Sequence, residues 1–163
     1  MKTLIALALT SIFFISCSGT KDALNQPMES EVKQWVVDKQ FTIENEWAQP
    51  LRGNQINLID TPNFLTVEND TVSAALPFYG VRQTGTTLNS GGIEFEGIPK
   101  NYQMIYNQKK KSSTIKFDIS EKGENYQVTI ILYDSKNSSI SVNSSQRDIM
   151  RYQGTVEALP EEK

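Results

Sequence analysis

Glu94 and Glu96 stand two positions apart, Lys109, Lys110 and Lys111 run together, and Arg147 and Arg151 flank Ile149 near the C-terminus. Each group suggests a chemistry. Paired carboxylates transfer protons or hold a cation, clustered ammonium groups attract phosphate, and guanidinium groups clamp anions through paired N–H donors. Each also has a plainer reading. If Ile93 and Phe95 face a core, both glutamates face water; the lysines are then a solvated hairpin tip, and the arginines make ion pairs or interstrand contacts. A fourth group, Phe78, Tyr79 and Arg82, opens a long stretch without strand pattern, 78–91, that contains Gly80 and Gly85. Such a connection is either a lid that contacts ligand or a loop held over the fold by its aromatics.

The absences narrow the chemistry further. There is no histidine, and the single cysteine is Cys17. Ser-His-Asp and Cys-His mechanisms, zinc sites built from Cys and His, and a disulfide within the chain are all excluded. No acidic loop has the spacing of a calcium site, and no cofactor motif is present, so no cofactor is expected. A net charge of −3 gives no electrostatic footprint for nucleic acid.

Cys17 has a chemistry of its own. Lys2 precedes an apolar run over 4–15 that includes Leu4, Ile5, Leu7, Leu9, Ile12, Phe13, Phe14 and Ile15. That run is shorter than the roughly 20 residues that span a bilayer, and it reads as the hydrophobic region of a signal peptide. Phe14-Ile15-Ser16-Cys17 follows and resembles the bacterial lipobox, with Phe14 in place of the usual leucine. Cleavage before Cys17 frees an α-amine and leaves a thiol for a diacylglyceryl thioether; acylation of both, palmitate included, anchors stably where one chain would be marginal. The expected address is the cell envelope, tethered by lipid to the outer membrane on its periplasmic or surface face. Residues 18–26 are small and polar and read as a tether.

These groups must be positioned by a mainly β scaffold. From Pro27 to about Asp38, Val32, Trp35 and Val36 recur at helical spacing, which predicts one short amphipathic helix. The period then switches to two, with Phe41, Ile43 and Trp47 alternating against Thr42, Glu44 and Glu46. Further strands are expected over 55–60, 64–69, 71–76, 92–96, 102–107, 113–120, 126–133, 138–143 and 149–156. The strongest alternations, Ile115-Phe117-Ile119 and Tyr126-Val128-Ile130-Leu132, flank the turn Glu121-Lys122-Gly123-Glu124-Asn125 and predict an antiparallel hairpin. Short strands at this spacing, without helices for parallel crossovers, predict an all-β antiparallel meander closing as a barrel, with the helix capping one end. The expected partition is a signal peptide at 1–16, a lipidated tether at 17–26, one domain at 27–158 and a tail at 159–163.

Three ordered segments, Leu76-Pro77-Phe78-Tyr79-Gly80, Gly91-Gly92-Ile93-Glu94-Phe95-Glu96-Gly97 and Tyr152-Gln153-Gly154-Thr155-Val156, carry a further likeness. Together with the lipoprotein front end they resemble the domain-of-unknown-function 4251 family, found mainly as envelope lipoproteins of Bacteroidota. The resemblance runs from about Val32 to Val156. It implies a barrel-like β domain and no activity.

The expectation is therefore an envelope lipoprotein whose domain is a noncatalytic module binding a small molecule, a glycan or a protein. Phe78, Tyr79, Arg82, Arg147 and Arg151 are its candidate binding residues. The alternative is a structural or inhibitory interaction protein with a filled core. A carboxylate-based hydrolase built on Glu94 and Glu96 is the least supported reading. An apolar interior of several hundred Å³ would favour the first reading and a side-chain-filled one the second.

Overall fold

The computed structural model describes residues 30–83 and 91–159. Cys17, the signal and tether regions, the start of the expected helix at Pro27 and the middle of the 78–91 connection lie outside them.

The helix, α1 (Glu31–Asp38), buries Val32 and Val36 and half-buries Trp35. These positions lie one turn apart on a single face. Lys39 ends the helix in the left-handed region, at φ 54° and ψ 46°. The buried face packs on strands β1 (Gln40–Pro50), β7 (Ser112–Glu121) and β10 (Met150–Ala158), so the helix covers one end of the sheet.

Among the described residues ten strands follow: β1 (Gln40–Pro50), β2 (Ile56–Asn57), β3 (Phe64–Glu68), β4 (Thr71–Leu76), β5 (Ile93–Gly97), β6 (Lys100–Asn107), β7 (Ser112–Glu121), β8 (Glu124–Tyr133), β9 (Asn137–Ser144) and β10 (Met150–Ala158). All pairings are antiparallel, in the order β5-β4-β3-β1-β10-β9-β8-β7-β6, with β2 paired to β1 alone. The meander and its all-β, barrel-like character are those expected from the alternation. The sheet curls into a half-barrel. Its two end strands, β5 and β6, are not hydrogen-bonded to each other. Instead β5 lies against β7, where Phe95 meets Phe117 edge-on at 6.3 Å, and the Phe95 ring also reaches Tyr126 of β8 at 5.5 Å.

Two differences from expectation have local causes. The stretch 55–60 makes only the two-residue β2, because Leu58 turns inward and its N–H bonds to the Glu46 carbonyl at 2.7 Å. Strand β1 has a bulge between Asn45 and Trp47, where it crosses Gly154 of β10. A Cβ at Gly154 would collide with the Glu44 carbonyl and the Asn45 backbone, so this crossing requires glycine. That requirement gives the Tyr152-Gln153-Gly154 motif a packing reason.

The concave side is filled. Phe41, Ile43, Leu65, Leu76, Ile93, Ile115, Ile130, Ile140 and Tyr152 are fully buried in one cluster with the helix valines. Side chains of this size bury about 1.5–3 kcal/mol each, which makes the cluster the main stabilising feature. Between β7 and β8, Lys122 and Gly123 both take positive φ, 49° and 81°. That is the two-residue turn whose twist matches an antiparallel hairpin, and it places Glu121 opposite Glu124.

Candidate binding cleft

Strand β8 alternates Glu124, Tyr126, Val128, Ile130 and Leu132 toward the inside, so its first inward residue is a carboxylate. Glu124 is 4% exposed. Burying an unpaired carboxylate would be prohibitive, and its partners come from two separate parts of the chain, Arg82 and the segment 144–147. Arg147 donates to it twice, Nε to Oε1 at 2.7 Å and Nη2 to Oε2 at 2.9 Å. Arg82 donates from Nη2 to Oε2 at 3.0 Å, and the Ser144 hydroxyl donates to Oε1. Burial alone would raise the Glu124 carboxyl. Hydrogen bonds from Arg147 and Ser144, the charge on Arg147 and a hydrogen bond with Tyr126 outweigh it, and the net direction is down. Burial pushes the Tyr126 hydroxyl up to about 12.

Arg147 also ties down the 78–91 connection. Its Nη1 donates to the carbonyls of Gly91 and Gly92 at 2.9 and 2.8 Å. On the outgoing limb Arg82 and Arg147 form an isolated antiparallel bridge. Around it Gln83 N–H donates to the Gln146 carbonyl at 2.8 Å and Asp148 N–H to the Val81 carbonyl at 3.0 Å. The Phe78 ring lies 5.3 Å from the Arg147 guanidinium, and the Tyr152 hydroxyl donates to the Pro77 carbonyl at 2.8 Å. Burial raises the Tyr152 hydroxyl as well. Both ends of the connection are thus fastened to the segment between β9 and β10.

Of the residues singled out for binding, the structure gathers Phe78, Arg82 and Arg147 at one place. Arg151 is apart from them: it sits between buried Met150 and Tyr152 and faces outward on β10. Tyr79 is 41% exposed beside this region. The anion clamp expected of Arg147 and Arg151 takes a different form, since the Arg147 donors are spent on Glu124 and on two backbone carbonyls. Glu124 and Ser144 escape a reading of the sequence that places Glu124 in a turn. The signal was its parity, which continues the inward set of Tyr126, Val128 and Ile130.

Beside this cluster lies a cavity of about 500 Å³ lined by Arg82, Gly91, Glu94, Lys122, Glu124 and Tyr126, among others. A shallower cavity of about 720 Å³ adjoins it, bordered by Phe64, Ser73 and Glu96 and sharing Glu94, Glu121 and Lys122. Together they form a cleft between β5 and the β7–β8 turn. Glu94 and Glu96 are exposed on the outer face of β5 while Ile93 and Phe95 are buried, as the alternation predicts. The cleft wall therefore mixes cations and carboxylates with one exposed aromatic, Phe64, at 43%. It presents donors and acceptors side by side.

A half-barrel of antiparallel strands with a filled inner face and a polar cleft at its rim defines a class of β domain by shape alone; comparison with known proteins supplies the family. The family model for the domain of unknown function DUF4251 matches residues 23–156, and the chain belongs to that family. Its fold is similar to that in the crystal structure of a DUF4251 family protein from Bacteroides eggerthii DSM 20697. The TM-score is 0.61 at 16% sequence identity, over 77% of this chain and 84% of that one. A search of curated proteins finds no match.

Proposed function

We propose that this chain is a lipid-anchored cell-envelope protein whose domain is a noncatalytic binding module, taking a polar small molecule or short glycan in the cleft between β5 and the β7–β8 turn. The observation that carries this reading is the contrast between a filled half-barrel and an open rim cleft of about 500 Å³ lined by Arg82, Glu94, Lys122 and Glu124. That volume suits a small ligand. Groups of both signs suit one rich in hydroxyls, which donate and accept at once. The rim is stiffened from behind by Arg147, so its polar groups are held in place before a ligand arrives.

The anchor rests on Cys17 and the apolar run before it. Metabolic labelling with palmitate is expected to mark the parent chain, and Cys17→Ser is expected to lose the label and leave the membrane fraction. Label retained in the variant contradicts the anchor. The cleft is tested by titrating a panel of neutral and amino-sugar oligosaccharides while following amide shifts. Shifts at Glu94, Lys122 and Gln146 that vanish in a Glu94→Gln, Lys122→Ala double variant support the cleft, and shifts that persist contradict it. The filled interior keeps a second reading in view, that of an interaction protein working through its surface.

A further inference from the structure

β6 is an edge strand, hydrogen-bonded among the described residues to β7 and to no other strand. An edge of this kind presents unpaired N–H and C=O groups that template another strand. Its regular part pairs Gln103 through Asn107 with Lys116 through Ser112, and an irregularity, with Asn101 at φ 54°, separates it from Lys100. The side chains around it are unusually apolar for a free edge: Ile98 is 74% exposed, Ile105 67% and Met104 40%. Met104 pairs with buried Ile115, so it lies on the core side of the sheet and is left uncovered there.

Charge brackets this strip. Lys100 stands at its start, Lys109, Lys110 and Lys111 just past its end and Lys116 on the neighbouring strand, all exposed. The acids nearby are fewer and engaged: Asp118 accepts from Asn101 at 2.7 Å and Asp134 from the Tyr106 hydroxyl at 3.0 Å. A chain of net charge −3 thus concentrates lysine around one open strand. Lysines at an edge discourage self-pairing. Antiparallel pairing of β6 with its own copy would bring Lys100 of one molecule against the lysine tip of the other. Pairing with β5 of a second copy would repeat head to tail without closing.

We propose that β6 is a docking edge for an extended, acidic segment of another protein, which adds as a strand to the half-barrel. Main-chain bonds to β6 would supply the attachment, Ile98, Met104 and Ile105 the apolar contact, and the five lysines the preference for acid. The site is separate from the cleft and shares no residue with it.

The probe is a short peptide alternating valine and glutamate, added to the full-length chain in neutral detergent. Its controls are the lysine counterpart and a glutamate peptide interrupted by proline. Slowed amide exchange over 103–107 with the glutamate peptide alone is the expected result. Replacing Lys109, Lys110 and Lys111 by glutamate should weaken binding at least about tenfold, since opposed charge steers encounter. Ile105→Asp should weaken it as well, and with so exposed a side chain it leaves the fold intact. Binding without slowed exchange at β6, or equal binding of the proline peptide, overturns strand addition. Preference for anionic phosphatidylglycerol vesicles over the peptide overturns the protein partner in favour of a membrane surface. Concentration-dependent polymerisation of the chain alone overturns it in favour of a second copy.

Discussion

Arg147 and the Lys109–Lys111 tip belong to the same charge class and lie at opposite extremes of environment. Arg147 is 8% exposed and its guanidinium is held by one carboxylate and two backbone carbonyls. The tip lysines are exposed and close a hairpin. A buried charge must be partnered, so its neighbours are dictated and its removal is costly. An exposed ammonium is indifferent to its neighbours, which leaves it free to meet something that arrives from outside. Charge by itself is therefore a poor guide to role in this fold, and the partners decide.

The comparison breaks most visibly at Arg147. Arg147→Ala leaves Glu124 buried with Arg82 and Ser144 alone and releases Gly91 and Gly92. A loss of about 3–5 kcal/mol is expected, the usual cost of breaking a buried pair from one side, and thermal unfolding followed by circular dichroism measures it. If Tm barely moves, the pair is not the clasp described above.

Glu124→Gln sharpens the same point through pH. The folded carboxyl lies below its ordinary value. Its stabilisation is therefore present above the unfolded carboxyl value, near 4.3, and is lost as pH falls through the folded one. The stability gap between parent and Glu124→Gln should be widest near neutral pH and should narrow below about pH 4. A gap that stays constant into acid would show that Glu124 is not held as a charged acceptor.

A smaller effect is expected for Arg82→Ala. The Arg82 side chain is 25% exposed and gives Glu124 a single bond, so a loss of about 1 kcal/mol should suffice. Tyr79→Ala together with Arg82→Ala should then cost little more than Arg82→Ala alone. At the low end, replacing Lys109, Lys110 and Lys111 by alanine should leave Tm unchanged. A marked loss there would mean the tip is built into the fold.

The strands and their turns were legible because they are local. Period-two runs such as Ile115-Phe117-Ile119 need only their own neighbours, and Lys122-Gly123 marks its own turn. The central place of β1 was not legible, since pairing with β10 joins Phe41 to Ala158 across nearly the whole domain. The clasp was hidden for the same reason. Arg82, Gly91, Glu124, Ser144 and Arg147 meet only after β5, β8 and β9 are in place, and nothing in the segment Glu121–Asn125 distinguishes a buried glutamate from a turn residue except its parity with Tyr126. Arg147 was singled out for its charge, while its function as a strut depends on carbonyls that carry no sequence signal.

The most direct test of the central claim is a native mass spectrum of the protein purified from its own host, beside the Glu94→Gln, Lys122→Ala double variant prepared the same way. A polar small molecule or glycan retained by the parent and absent from the variant is the result expected of a rim cleft. A molecule retained equally by both, or mass added by a protein partner alone, would contradict the cleft as the binding site.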